Sequence, residues 1–137
     1  MIARVVDEPL DLQFHVEHVS DRRAGAVATF VGLVRDHDPS VEGRVVGLDY
    51  TAHPTAEAVL QRIAHDALTD DVLGIAVSHR VGHLAVGEAA IVAAVATAHR
   101  AEAFEVCRAL VETVKAELPV WKREVLEDGS HVWVGMS

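Results

Sequence analysis

The apolar positions along this chain change period several times, and each change marks an element. Ile2 to Val6 reads as a short strand. After Pro9, the apolar residues Leu10, Phe14 and Val19, with Asp11 near the start, predict a short helix ending about His18. Gly25 to Arg35 is rich in β-formers (Val27, Thr29, Phe30, Val31, Val34) and predicts a strand, as does Val45 to Ala52. Between them, Asp36 to Gly43 carries the strongest loop chemistry in the chain. Pro54 opens a helix to about Thr69, with Ala58, Ile63, Ala64, Ala67 and Leu68 as its core positions.

Val72 to Val81 and Glu88 to Ala98 read as two strands joined through Gly82 to Gly87. The second is nearly all Ala, Val and Ile from Ala89 to Ala96, which predicts cover on both faces. A helix follows over about Arg100 to Leu118, where Pro119 disfavours further helix. The tail, Val120 to Leu126 and His131 to Val134 around Asp128-Gly129, predicts a β-hairpin. Strands and helices alternate, yet adjacent strand pairs also occur. The fold class is therefore α+β, a mixed or antiparallel sheet with packed helices, in one domain over residues 1–137.

Composition narrows the function classes. Half of the 137 residues are apolar and no uninterrupted apolar run approaches a membrane span. The segment from Met1 to Glu8 lacks the apolar core of a signal peptide, and a single cysteine makes no internal disulfide, so a cytoplasmic protein is expected. A net charge of −9 argues against a general nucleic-acid binder but leaves room for a small anionic substrate where cations converge. Nine histidines raise a metal site, but His15 and His18, sharing a helix face, have no third ligand beside them; no metal and no cofactor is expected. Cys107 falls among apolar helix positions, where a thiol is an inert small hydrophobe.

The candidate chemistry lies in the lysines. Lys115 and Lys122 are the only two, against ten arginines. Lysine, unlike arginine, gives up its proton when desolvated and so serves as acid, base or nucleophile. On the last helix Phe104, Cys107, Val111, Val114 and Leu118 form one apolar stripe. At about 100° per residue, Lys115 stands about 60° from its centre, on the shoulder of the buried face with Arg108 on the same side. Such a lysine equally suits a snorkelling role at a helix C-terminus. His99 and Arg100 fall at the N-terminus of that helix, where unpaired N–H groups favour anions. Arg35 ends a strand just before the loop, a usual place for a ligand clamp.

Four segments together resemble the catalytic (large) subunit of molybdopterin synthase: Phe30 to His37, His79 to Glu88, Ala98 to Glu105, and Lys115 with Pro119 to Glu124. The resemblance spans about Gly25 to Trp133 and implies an α/β hammerhead-like fold with its C-terminal β-hairpin. It implies a sulfurtransferase of molybdenum cofactor biosynthesis, which installs two sulfurs on cyclic pyranopterin monophosphate as a dithiolene. The sulfur arrives as a thiocarboxylate on a small ubiquitin-like partner subunit, and the large subunit forms the central homodimer of a heterotetramer. Carried over by position, Lys115 and Lys122 are the catalytic lysines. Leu33, Val34, Arg35, His99, Arg100, Arg123 and Glu124 join both lysines in binding substrate. Longer members continue beyond the position of Met136 into a tail that can carry another basic residue, and no role is carried over for it. The competing reading is a non-catalytic α+β module that binds an anionic ligand or acts as a scaffold; a stand-alone lyase or hydrolase would need a nucleophile or metal site that the sequence does not offer.

Overall fold

The computed structural model describes residues 1–134, so Met136 lies outside the described residues. Among the described residues, eight strands and three helices run β1 (Ile2–Val6), α1 (Leu12–His18), β2 (Ala26–Leu33), β3 (Val45–Ala52), α2 (Ala56–Ala67), β4 (Val72–Arg80), β5 (Gly82–Ala85), β6 (Ala89–Thr97), α3 (Arg100–Glu117), β7 (Val120–Leu126) and β8 (His131–Val134). They form two four-stranded sheets, ordered β1-β4-β6-β2 and β5-β3-β7-β8. The first is mixed, because β1 runs parallel to β4 while β6 is antiparallel to both β4 and β2. The second is antiparallel throughout.

The all-apolar β6 sits inside the first sheet and is covered on both faces, as its composition predicts. Ala93 and Val95 point into the main core with Ile63, Leu110 and Val114 from α2 and α3. Ala94 and Ala96 point the other way, towards Val19 just after α1. Asp11 caps α1 by accepting from the N–H groups of Gln13 and Phe14.

Four details depart from the sequence pattern. Gly82 to Ala85 reads as a linker but is strand β5, paired with β3 in the second sheet. Gly82 at φ +93° and Gly87 at φ +90° turn the chain out of one sheet and back into it, in a region open to glycine. On α2, Ala58 and Leu68 are exposed, while Ala56 and Leu60 join Ile63 and Ala64 in the core. Pro54 precedes Thr55, the residue at the helix N-cap, rather than opening the helix. On α3 the buried stripe is Ala103, Cys107, Leu110, Val111 and Val114, and Phe104 is 67% exposed. Phe104 overhangs the edge of β2, beside Ala28, Thr29 and Phe30, instead of facing the core.

Candidate functional site

A cavity of about 700 Å³ opens where the two sheets meet the end of α3. Its floor is apolar, from Ile91 on β6, Val114 on α3, Leu118 just after it, and Leu48 on β3. Its rim is polar and comes from three separate places in the chain. Lys115 stands on the last turn of α3, where the helix C-terminus favours a cation. Lys122 projects from β7, beyond the turn at Pro119 that redirects the chain. Arg35 follows β2, and His37, Asp38 and Ser40 come from the loop after it. The two rare lysines thus line one cavity with Arg35.

Local structure explains the convergence. Val34 is tied to the turn before β6, its N–H donating to Glu88 O at 3.0 Å and its carbonyl accepting from Gly87 N–H at 2.7 Å. That pins the residue preceding Arg35. On β7 side chains alternate between faces, so Lys122 and Glu124 share the cavity face with Tyr50 of β3, directly across from Lys122. Among the described residues, no carboxylate lies within ion-pair distance of Lys115, Lys122 or Arg35. Three cations without a direct ion-pair partner leave the cavity lining net positive even with Asp38 and Glu124 on it, which favours an anion.

Burial has tuned the other polar groups. His79 of β4 is 7% exposed. Desolvation first, and then the Lys115 charge, pushes its pKa down to about 4 against the pull of its bond to Arg80 O. Its Nδ1–H donates to that carbonyl at 2.8 Å, leaving Nε2 as the acceptor of a neutral ring. Tyr50 packs edge-on against His79, with ring centroids 5.1 Å apart, and burial raises its phenol to about 12. Glu124 is 2% exposed, and burial, then its hydrogen bond to Asp38 and the Asp38 charge, raise it to about 7. Asp38 moves the other way, held below the usual carboxylate range chiefly by that same bond and by Ser40.

Leu33, Val34, Arg35, Lys115, Lys122 and Glu124 therefore meet at the cavity. His99 and Arg100 do not join them within this chain. They are exposed at the opposite end of α3, about 22 Å along the helix axis from Lys115. Arg123 projects from the reverse face of β7, where it bonds Asp49 and lies over the Trp133 ring at 5.7 Å. Strand alternation excludes it from the face that carries Lys122 and Glu124. Arg108 lines a separate groove beside Phe104 and Cys107. Asp38, Tyr50 and His79 are cavity residues that the sequence reading leaves out. His79 begins the His79 to Glu88 segment that carries part of the family resemblance, and that is its sequence signal; Asp38 sits in a loop whose placement depends on contacts far along the chain.

Fold and cavity define a class of protein: a two-sheet α+β body with a cavity at the sheet junction lined by two lysines and an arginine. Residues 5–117 match the family described as MoaE protein, and the chain belongs to that family. It is 43% identical over 138 residues to the molybdopterin synthase catalytic subunit of Oryza sativa subsp. indica, a match spanning 96% of this chain and 69% of the relative. The X-ray crystal structure of molybdopterin synthase from Staphylococcus aureus has the same fold, with a TM-score of 0.86 at 29% identity over 96% of this chain and 95% of that one. A chain from the Helicobacter pylori complex of subunits 1 and 2 of molybdopterin-converting factor shares the fold at 20% identity, with a TM-score of 0.78 over 96% of this chain and 88% of that one.

Proposed function

We propose that this chain is the catalytic subunit of a molybdopterin synthase. It transfers sulfur from the thiocarboxylate terminus of a small ubiquitin-like partner to cyclic pyranopterin monophosphate, forming the molybdopterin dithiolene. The observation that carries this reading is the meeting of Lys115, Lys122 and Arg35 at one cavity with no carboxylate paired to any of them. A cavity of about 700 Å³ is in the usual range for a small-molecule site, and its apolar floor suits a flat ring system.

The roles follow from chemistry. Lys115 moves the proton at the carbon that receives sulfur, beside the terminal carbonyl of the partner. Lys122 and Arg35 hold the phosphate and the negative charge that develops during transfer. Leu33 and Val34 shape the wall, and Glu124 orients the polar edge of the substrate. Buried Cys107 is absent from the cavity lining, so sulfur comes from the partner. His99 and Arg100, at the far end of α3, serve such a cavity only from a second copy of the chain, so the homodimer belongs to this proposal. Among the described residues no helix is long and apolar enough to cross a membrane, and we place the enzyme in the cytoplasm.

The test mixes the purified chain with its substrate, with and without thiocarboxylated small subunit. Dithiolene appears only when that partner is present. Turnover of substrate by the chain alone makes it a lyase or hydrolase; binding without turnover in the full mixture makes it a ligand-binding module. Either result overturns the assignment.

A further inference from the structure

Glu124 is buried on a strand whose neighbouring cation does not neutralise it. It is 2% exposed, and Lys122, two residues back on the same face, lies outside ion-pair distance. A buried carboxylate needs either a cation or a proton. The polar group that Glu124 does reach is another carboxyl, Asp38, brought over from the loop after β2. Two carboxyls in hydrogen-bond contact do not both ionise near neutrality.

The loop decides which of them keeps its charge. The N–H and hydroxyl of Ser40 both donate to Oδ1 of Asp38, at 2.9 and 2.7 Å. Two donors aimed at one oxygen favour the carboxylate form. Val41 N–H donates to Asp38 O, and Val45 N–H to Asp36 O, which fixes the loop at both ends. Asp38 is therefore the acceptor and Glu124 the proton carrier. The other groups facing Glu124 are Lys122 on its own strand, Tyr50 on β3, Arg35 after β2 and His37 on the loop, with Lys115 of α3 and His79 of β4 also lining the cavity.

We propose that Asp38 and Glu124 hold one proton between them, and that this pair gates the cavity's affinity for its anionic ligand by removing one negative charge from beside Lys122. The proposal rests on reading the cavity as an anion site. Counting histidines as neutral, the lining carries +1 with both carboxyls ionised and +2 with the proton in place. Glu124 releases that proton about pH 7, so ligand binding weakens as pH rises through that value.

The experiment uses the full chain. Carboxyl carbon NMR follows Glu124 against pH, assigned through Glu124→Gln, while calorimetry measures binding of inorganic sulfate, whose own charge is constant over the range. Glu124 is expected to titrate near pH 7. Wild-type affinity for sulfate is expected to fall about five-fold through that pH, the effect of one charge roughly 7 Å away in a wet cavity. Glu124→Gln is expected to bind sulfate with no such fall. Asp38→Asn, a loop substitution that spares the core, is expected to lower the Glu124 pKa while leaving the part that burial supplies, and to lessen the fall in sulfate affinity near neutrality. A Glu124 carboxyl that titrates with the ordinary carboxylates overturns the pair. An undiminished pH slope in both variants overturns the gate. Absence of sulfate binding at any pH, with Glu124 still titrating near neutrality, overturns both the gate and the anion-site reading while leaving the pair intact.

Discussion

Asp49 holds Arg123 from directly across the β3–β7 ladder, with one carboxylate oxygen accepting from Nη2 at 2.6 Å and Nε at 3.2 Å. The other oxygen bonds Nδ1 of His83, on β5, at 2.7 Å, and Arg123 lies over Trp133 of β8. One row of side chains thus crosses all four strands of the second sheet, on the face turned away from the cavity. The neighbouring residue, Lys122, projects from the cavity face of the same strand.

These adjacent cations therefore respond oppositely to substitution. Arg123→Ala is expected to cost about 1 kcal/mol of stability, as a partly exposed two-nitrogen ion pair does, with turnover changed less than a few-fold. Lys122→Ala is expected to leave stability nearly unchanged and to lower turnover about 100-fold. Chemical denaturation and steady-state rates on both variants check the pair of statements.

His79 ties stability to pH. Folded, it stays neutral down to about pH 4, whereas the unfolded ring takes its proton near 6.5. The unfolded chain binds more protons in that window, so the contribution is fully present above 6.5 and is lost as pH falls towards 4. His79→Gln is expected to lose less stability than wild type over that acidification. Glu124 pulls the other way. It is protonated when folded and ionised when unfolded between 4.5 and about 7, so its contribution is lost as pH rises through 7. Urea melts across pH, compared variant by variant, separate the two.

A buried strut fastens α1 to β4. His15 Nδ1 lies 2.6 Å from Asp11 O and Nε2 lies 2.7 Å from Ser78 Oγ, with both side chains almost fully buried. A carbonyl only accepts, so Nδ1–H donates to it and Nε2 accepts from the serine hydroxyl. Ser78→Ala leaves that nitrogen buried without a donor and is expected to cost about 1–3 kcal/mol in a denaturation experiment, with no change in sulfate binding at the cavity.

Much of this architecture is legible in the residues themselves. The unbroken Ala/Val run of β6 announces a strand covered on both faces, and Pro119 sets the end of α3. What escapes is non-local. Leu84 is fully buried, yet its four-residue strand between two glycines carries no periodic signal; pairing with β3, more than thirty residues earlier, makes it a strand. Phe104 fits the α3 stripe by spacing, but the helix lies across the edge of β2 and leaves that position outside. For the site, Lys115 and Lys122 stand out by rarity. The placing of Arg123 behind them depends on strand alternation, and the partnership of Asp38 with Glu124 on where a loop comes to rest.

Lys115 carries the central claim, because an amine able to give and take a proton is what arginine does not supply. The most direct measurement is single-turnover dithiolene formation by wild type and Lys115→Arg, each saturated with thiocarboxylated small subunit and cyclic pyranopterin monophosphate. Retained positive charge without proton transfer is expected to slow the step by about 100-fold or more while substrate binding stays close to normal. Dithiolene formed by Lys115→Arg at the wild-type rate would contradict the account.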